Sequence, residues 1–414
     1  MRRVGALVVS LLVLATSCTA RSTDNAIRIG ALYPLKGAQG PGGLDEYRGV
    51  TLAVARVNAG GGVHGRPVRL DTVDVESAEA APAAVRKLSG DGVRLLLGSY
   101  GSTISAPASE VAAAQHMLFW ETGAVGVTAA ASGGGRSFFR AAPTGATLGR
   151  SAVSFIRDEL SSHLQAGRPL RYAVAYVDDA YGRSVGMGGV DELQSSHQDL
   201  VGSFPYPAYG TDYNALAAKI GAAKPDVLFV SAYLEDGIAL REAMLAQHVP
   251  LLAGIGTSSS YCMPAFGARL GQAAVGLFAS DKPDAADVRT DALQPEARTE
   301  LAWAGATYLR RFHQPMSAAA LAGFANAWAL LHDVLPVAHD TGVTAVAAAA
   351  LGVKLPTGSL ANGSGLDFAG PTQLDAGANR RAASVIWEWV APNQRAVVWP
   401  PAFATHPLVS LPVA

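Results

Sequence analysis

Val93-Arg94-Leu95-Leu96-Leu97-Gly98-Ser99-Tyr100-Gly101-Ser102-Thr103, continuing through Ile104 to Gln115 and on through Met117-Leu118-Phe119-Trp120 to Val127, is the segment around which the rest of the chain is organised. Val93, Leu95, Leu96 and Leu97 form a short apolar run, the pattern of a parallel strand buried on both faces. It stops at a polar turn, Gly98 to Thr103. Ile104 to Gln115 is helical in composition, with Pro107 expected in the first turn and Ser102, Thr103 or Ser105 as its cap. Met117 to Trp120 reads as the next strand and ends at Glu121-Thr122-Gly123-Ala124-Val125. The whole is one βαβ unit, and in an open α/β sheet ligands bind where strands end and helix N–H groups converge. Glycine and serine are also ordinary turn residues, so the turn alone is weak evidence of a ligand. It lacks G-x-G-x-x-G and G-x-x-x-x-G-K-[ST], which argues against a nucleotide.

Nearer the amino terminus, Ile27 to Leu32 reads as a first strand, followed by a glycine-rich loop, Gly37 to Gly43, long enough to cover a cleft. Val50, Ala53, Val54 and Val57 make one apolar stripe of a helix that ends at Gly60-Gly61-Gly62. Val68 to Val73 is a second strand, and a helix from Ser77 leads to the central unit. This order implies a parallel sheet with right-handed crossovers. After Gly133-Gly134-Gly135 the pattern begins again, with strands at Tyr172 to Val177, Val201 to Phe204 and Val227 to Ser231, then Leu251 to Ala253 and Val275 to Ala279. Asp226-Val227 running to Tyr233 weakly repeats Gly92-Val93 running to Tyr100, which fits two lobes of like topology. Two long helices, Glu296 to Phe312 and Ser317 to Val337, follow, and the tail from Leu366 to Val398 reads as edge strands. A chain that returns in this way crosses between lobes more than once and forms a hinge.

Half of the 414 residues are apolar, and a chain of this size is expected to split into two cores. The amino terminus has the layout of a secretory signal: Arg2 and Arg3, an apolar run from Val4 to Leu14, then small residues up to Cys18. The expected organisation is a signal peptide over 1–17 and a tether over 18–25, then one lobe from 26–145 with 279–345 and another from 146–278 with 346–405. Formal net charge is −1, and loss of the two leader arginines makes it −3; neither value points to nucleic acid or an anionic membrane surface. The nine histidines lack metal-ligand spacing, and no C-x-x-C, H-E-x-x-H or G-x-S-x-G occurs. No metal, cofactor or catalysis is expected. Cys262, the second of two cysteines, reads as a small buried apolar residue.

With these pieces assembled, the chain resembles the type I periplasmic solute-binding proteins of the branched-chain amino acid group, receptors of ABC importers. The likeness rests on Ile29-Gly30-Ala31-Leu32, Gly60 to Val68, Gly98 to Pro107, Asp179-Ala180-Tyr181-Gly182 and the late helix pair. It implies an α/β fold of two similar lobes, each a parallel sheet flanked by helices, joined by a multi-crossover hinge. It also implies a small-molecule ligand, permease and ATPase partners, and an extracytoplasmic location. Ala15-Thr16-Ser17-Cys18 resembles a lipobox with Ala15 in place of the usual leucine, which implies a lipid on Cys18 as the membrane anchor; plain secretion with another cleavage point is the alternative. By the same resemblance Ser102, with the backbone of Gly123 and Ala124, meets a ligand carboxylate, and Tyr181 and Tyr233 close over it from the second lobe; Thr103, beside Ser102, offers a further donor suited to a carboxylate or a carbonyl oxygen. Val125 stands where the family often has threonine. The loop Gly254-Ile255-Gly256-Thr257-Ser258 lacks the acid with which the family holds an ammonium. Since a buried ammonium without a counter-charge is costly, either Asp236, Glu121 or Asp179 substitutes or the ligand is not an α-amino acid. Transport and sensing through a membrane receptor both remain compatible with this pattern.

Overall fold

The computed structural model describes residues 25–126, 136–164, 167–286, 288–373 and 375–409. In chain order the first series comprises β1 (Ile27–Tyr33), α1 (Gly40–Ala59), β2 (Val68–Asp74), α2 (Ala81–Gly90), β3 (Leu95–Gly98), α3 (Ser102–Ala114), β4 (Leu118–Glu121) and β5 (Phe138–Arg140). The second comprises α4 (Gly145–Asp158), β6 (Arg171–Val177), α5 (Ala180–Ser195), β7 (Asp199–Tyr206), α6 (Tyr213–Ala223), β8 (Val227–Ser231), α7 (Leu234–Ala246), β9 (Ala253–Thr257), α8 (Pro264–Leu270) and β10 (Phe278–Asp281). Then come α9 (Pro295–Phe312), α10 (Ala318–Trp328), α11 (Val343–Gly352), β11 (Val385–Ala391) and β12 (Gln394–Trp399).

Among the described residues the strands form two sheets. One is parallel throughout, in the order β2-β1-β3-β4-β5, and in it Ile29 lies between Leu70 and Leu95. The other runs β12-β11-β10-β9-β8-β6-β7, with β11 and β12 antiparallel at one edge. Every residue of β3, β8 and β9 is buried, as expected of strands covered by helices on both faces. Two lobes, each a parallel sheet flanked by helices, are therefore the architecture.

The chain passes between the lobes three times. The first passage is Ala141 to Thr144, where the Thr144 side chain accepts from Thr147 N–H and caps α4. The second follows β10, which pairs with β9 and β11, so the boundary expected at 278/279 falls inside a strand of the second sheet. The third lies just before β11 rather than at 345/346. Phe368 packs edge-on against Trp120 and Phe139 at 5.1 Å from each, and Ala378 bridges Arg140, so the segment before β11 belongs to the first lobe. Hydrophobic periodicity locates a strand but does not name its partner, which is why these boundaries shift.

Two local departures bear on the site. α3 begins at Ser102 with Gly101 as its N-cap and no side-chain cap, so Pro107 lies inside the helix and not in its first turn. α1 begins at Gly40, so much of the expected glycine-rich loop is helix, with Pro41 in its opening turn. α1 crosses α10 at glycines: a Cβ on Gly49 would stand 1.9 Å from Ala320 O, and one on Gly323 would stand 2.0 Å from Glu46 O. That approach fixes Asp45 and Glu46 against the start of α10, where Ser317 caps the helix. The apolar run Ala318–Val337 has a mean hydropathy of 1.3, but 72% of it is buried in the protein, the behaviour of a core helix.

Candidate functional site

The carboxyl ends of both sheets face one cleft of about 510 Å³. From the first lobe it receives Gln39, Pro41, Gly42 and Asp45 at the start of α1, Tyr100 to Ser102 between β3 and α3, and Gly123 and Val125 beyond β4. The second lobe adds Tyr181, Tyr233, Ser258, Ser259 and Cys262. Asp281, Lys282 and Asp284 enter from the second passage of the chain, and Arg395 from β12.

Four of the eight residues expected to bind ligand meet here: Ser102, Gly123, Tyr181 and Tyr233. Ser102 is the first residue of α3, nearly buried, and its Oγ accepts from Gly126 N–H at 3.0 Å. Tyr181 shares a 2.7 Å hydrogen bond with Thr257 Oγ1 and stacks obliquely on Tyr233, centroid to centroid 5.3 Å. Tyr233 donates to Asp179 Oδ2 at 2.8 Å.

The other four stand elsewhere. Thr103 Oγ1 accepts from Gln39 Nε2 at 3.0 Å and does not line the cleft. The Gly123 and Ala124 N–H groups donate to Glu121 Oε1 at 2.9 and 2.8 Å, so the Glu121 side chain already occupies the anion position expected for a ligand carboxylate. Ser105 donates to its other oxygen. Wholly buried, Glu121 is pushed up to about 7 by loss of hydration, against the pull of these donors. Asp236 lies beside Tyr213 outside the cleft, its carboxyl raised by burial.

Asp179 is likewise spent on structure. Its Oδ1 accepts from Tyr181 and Gly182 N–H at 2.9 and 2.8 Å, capping α5, while Oδ2 holds Tyr233. None of the three acids suggested as ammonium partners therefore reaches the cleft. The reason is common to Glu121 and Asp179: a carboxylate next to a turn or helix start finds uncapped N–H groups within its own backbone neighbourhood.

The charged groups that do reach the cleft were not read as site residues from the sequence. Asp45 is held by Tyr308 Oη, Gln314 Nε2 and Ser317 Oγ at 2.7 to 2.9 Å, with Arg48 at 3.3 Å. Asp284 pairs with Arg395 at 2.7 Å, and that guanidinium lies 4.3 Å over the Trp387 ring. Lys282, 6% exposed, donates to Gly123 O across the lobes at 3.3 Å. It also opposes the rise of the buried Glu46 carboxyl, which burial pushes up to about 8. Cys262 is buried and free, but it faces the cleft, with Sγ 2.9 Å from both Ser258 O and Asp281 Oδ2. A signal was present in Asp281-Lys282-Pro283-Asp284, three charges crowded around a proline directly after an apolar strand. Among the described residues no cluster of His, Cys, Asp and Glu could hold a metal ion.

Comparison with known proteins gives a consistent set. The sequence pattern defining the periplasmic binding proteins matches residues 26–384. The Leu/Ile/Val-binding protein homolog 8 of Brucella suis is 28% identical, over 91% of this chain and 90% of its own length. A leucine-binding protein from Thermotoga maritima superposes with a TM-score of 0.74 at 13% identity, covering 90% of this chain and 97% of its own. A solute-binding protein from R. palustris, solved in complex with benzoate, superposes with a TM-score of 0.70 at 15% identity, covering 93% and 99%. At such identities the two superpositions speak of fold, and their named ligands differ in whether they carry an amine.

Proposed function

Because the chain belongs to the periplasmic binding protein family, we propose that it is the extracytoplasmic substrate-binding component of an ABC importer and captures a small polar solute between its lobes. The solute class is a branched-chain or related amino acid, an amide or an organic acid. The observation that carries this reading is the cleft itself, lined by both lobes and by the segment that joins them. Tyr181 and Tyr233 supply a wall that is apolar over its area, and Ser102 sits at the start of a helix, where the backbone favours an anionic or carbonyl oxygen. Multiple passages of the chain support hinged closure, since three connections rather than one linker constrain the relative motion. The protein would act as a binder, handing its solute to a permease and its ATPase.

Attachment to the membrane through a diacylglyceryl group on Cys18 is part of the same proposal. Cys18 lies outside the described residues, and its support is the leader with Arg2 and Arg3, the apolar run and the small residues before the cysteine. Two acyl chains hold firmly where one would not. Replacing Cys18 by alanine should release the protein or leave it unprocessed, and unchanged membrane fractionation would end this part of the proposal.

Calorimetry and small-angle scattering test the rest. A panel of amino acids, amides and organic acids should contain a solute that raises the melting temperature and reduces the radius of gyration at saturation. At 100 times its dissociation constant a ligand adds about 2.7 kcal/mol of stability. A bound solute that leaves the radius of gyration unchanged would refute closure, and a panel without any binder would refute capture.

A further inference from the structure

We propose that Asp281 is the anchor for a positively charged nitrogen of the ligand, so that the cleft selects primary ammonium compounds. The inference rests on reading the cleft as the solute site and adds the solute's charge. Asp281 ends β10, is 3% exposed and lines the cleft, yet its Oδ1 has no hydrogen-bond partner. A buried carboxylate oxygen left unpaired is costly, and of the acids with such an oxygen, Glu46, Asp236, Asp281 and Glu388, only Asp281 lines the cleft.

The neighbouring charges do not supply that partner. Asp284 and Arg395 satisfy each other, and Asp45 is held by Tyr308, Gln314, Ser317 and Arg48. Lys282 is directed at Gly123 O in the other lobe, and among the described residues no cation pairs with Asp281. Cys262 has a single thiol proton facing two acceptors, Ser258 O and Asp281 Oδ2, and a thiol is a weak donor in any case. Of the three acids that line the cleft, Asp45 is paired with Arg48 and Asp284 with Arg395, which leaves Asp281 for an incoming ammonium. This also accounts for a neutral loop at 254–258: the counter-charge comes from the joining segment at the end of β10 instead of from the loop after β9. Held there, the ligand's nitrogen touches one of the segments that join the lobes.

Titration calorimetry of the full mature chain with three probes that share the leucine side chain, isopentylamine (no carboxylate), L-leucine and 4-methylpentanoate (no amine), tests the proposal. The amine-bearing probes should bind at least tenfold more tightly than the acid. Asp281→Asn should weaken them about 10- to 150-fold, the range of a hydrogen bond to a charged group. Asp236→Asn, outside the cleft, should leave affinity within twofold. In the absence of any probe, Asp281→Asn should also raise the melting temperature by about 1–3 °C, because it removes an unpaired buried charge. Tight binding of 4-methylpentanoate with no amine-bearing probe bound would overturn the ammonium anchor while leaving solute capture intact. Undiminished amine binding by the asparagine variant would overturn it too. A fall in melting temperature would assign the carboxylate to structure through Cys262 and overturn it independently of any ligand, and failure of all three probes would overturn it as well.

Discussion

Two carboxyl groups buried in the first lobe should make the protein less stable as pH rises through neutrality. Glu46 is wholly buried; one oxygen accepts from Thr122 Oγ1 at 2.7 Å and the other has no partner. Its carboxyl titrates near 4.5 in the unfolded chain and at about 8 in the fold, raised chiefly by burial, with Lys282 opposing and Glu121 reinforcing the rise. Between these values the folded state keeps a proton that the unfolded chain has lost. The contribution to stability is therefore complete below about 4.5 and disappears as pH climbs to about 8. Each such group costs about 1.4 kcal/mol per pH unit inside its window. Glu121, also raised by burial, follows the same course up to about 7. Together the pair tilts stability by roughly 2–3 kcal/mol per pH unit between pH 5.5 and 6.5. His332, raised by its bond to Asp333, adds in the same direction. Surface carboxyls held down by arginine, such as Asp158 and Asp178, have finished titrating there and add no slope. Urea unfolding at pH 5.5, 6.5 and 7.5 measures the effect. The midpoint should fall with pH, and Glu46→Gln, which keeps the Thr122 bond, should remove about 1.4 kcal/mol per pH unit of the slope. A midpoint that rises over this range, or an unchanged slope in the variant, would mean that Glu46 does not keep its proton in the fold.

Three further outcomes are expected. Gly49→Ala should destabilise the fold by about 1–3 kcal/mol, since its Cβ would stand 1.9 Å from the Ala320 carbonyl; a unchanged urea midpoint would contradict the close helix crossing. Asp179→Ala should cost about 0.5–2 kcal/mol of stability through the lost cap of α5 and should weaken solute binding by freeing Tyr233; equal melting curves would argue against both. Ser102→Ala should lower solute affinity by about 1.5–3 kcal/mol if its partner atom is charged and about 0.5–1.5 kcal/mol if it is neutral, read by calorimetry, and full retention would remove Ser102 from the site.

The parts legible in the sequence were those written in periodicity. Leu95 to Leu97, Val227 to Ser231 and the stripe around Val50 and Val57 are fixed by local burial, and they lie in β3, β8 and α1. Tyr181 and Tyr233 were recognisable as turn residues after strands, and both line the cleft. Asp281 and Lys282 were missed because a charge after an apolar strand looks like the start of a solvated loop, and only the passage between lobes buries them. Glu121 and Asp179 misled for the opposite reason, as their partners are N–H groups within three residues, which residue type alone does not disclose. The displaced lobe boundaries follow from pairing: Phe278 to Asp281 reads as a strand in either sheet until its neighbour is known.

The three passages of the chain also impose an order on its biosynthesis. The first sheet is complete in sequence by Arg140, yet α10, which fills the groove at Gly49, begins only at Ala318. A nascent chain thus carries an exposed apolar face on α1 until most of the second lobe has been made, and a truncated product ending before α10 would keep it. Such a face is what holding chaperones bind and what drives aggregation when they are absent. Nor would a single proteolytic nick in one passage release a lobe, since two covalent connections would remain and the cut chain would stay assembled.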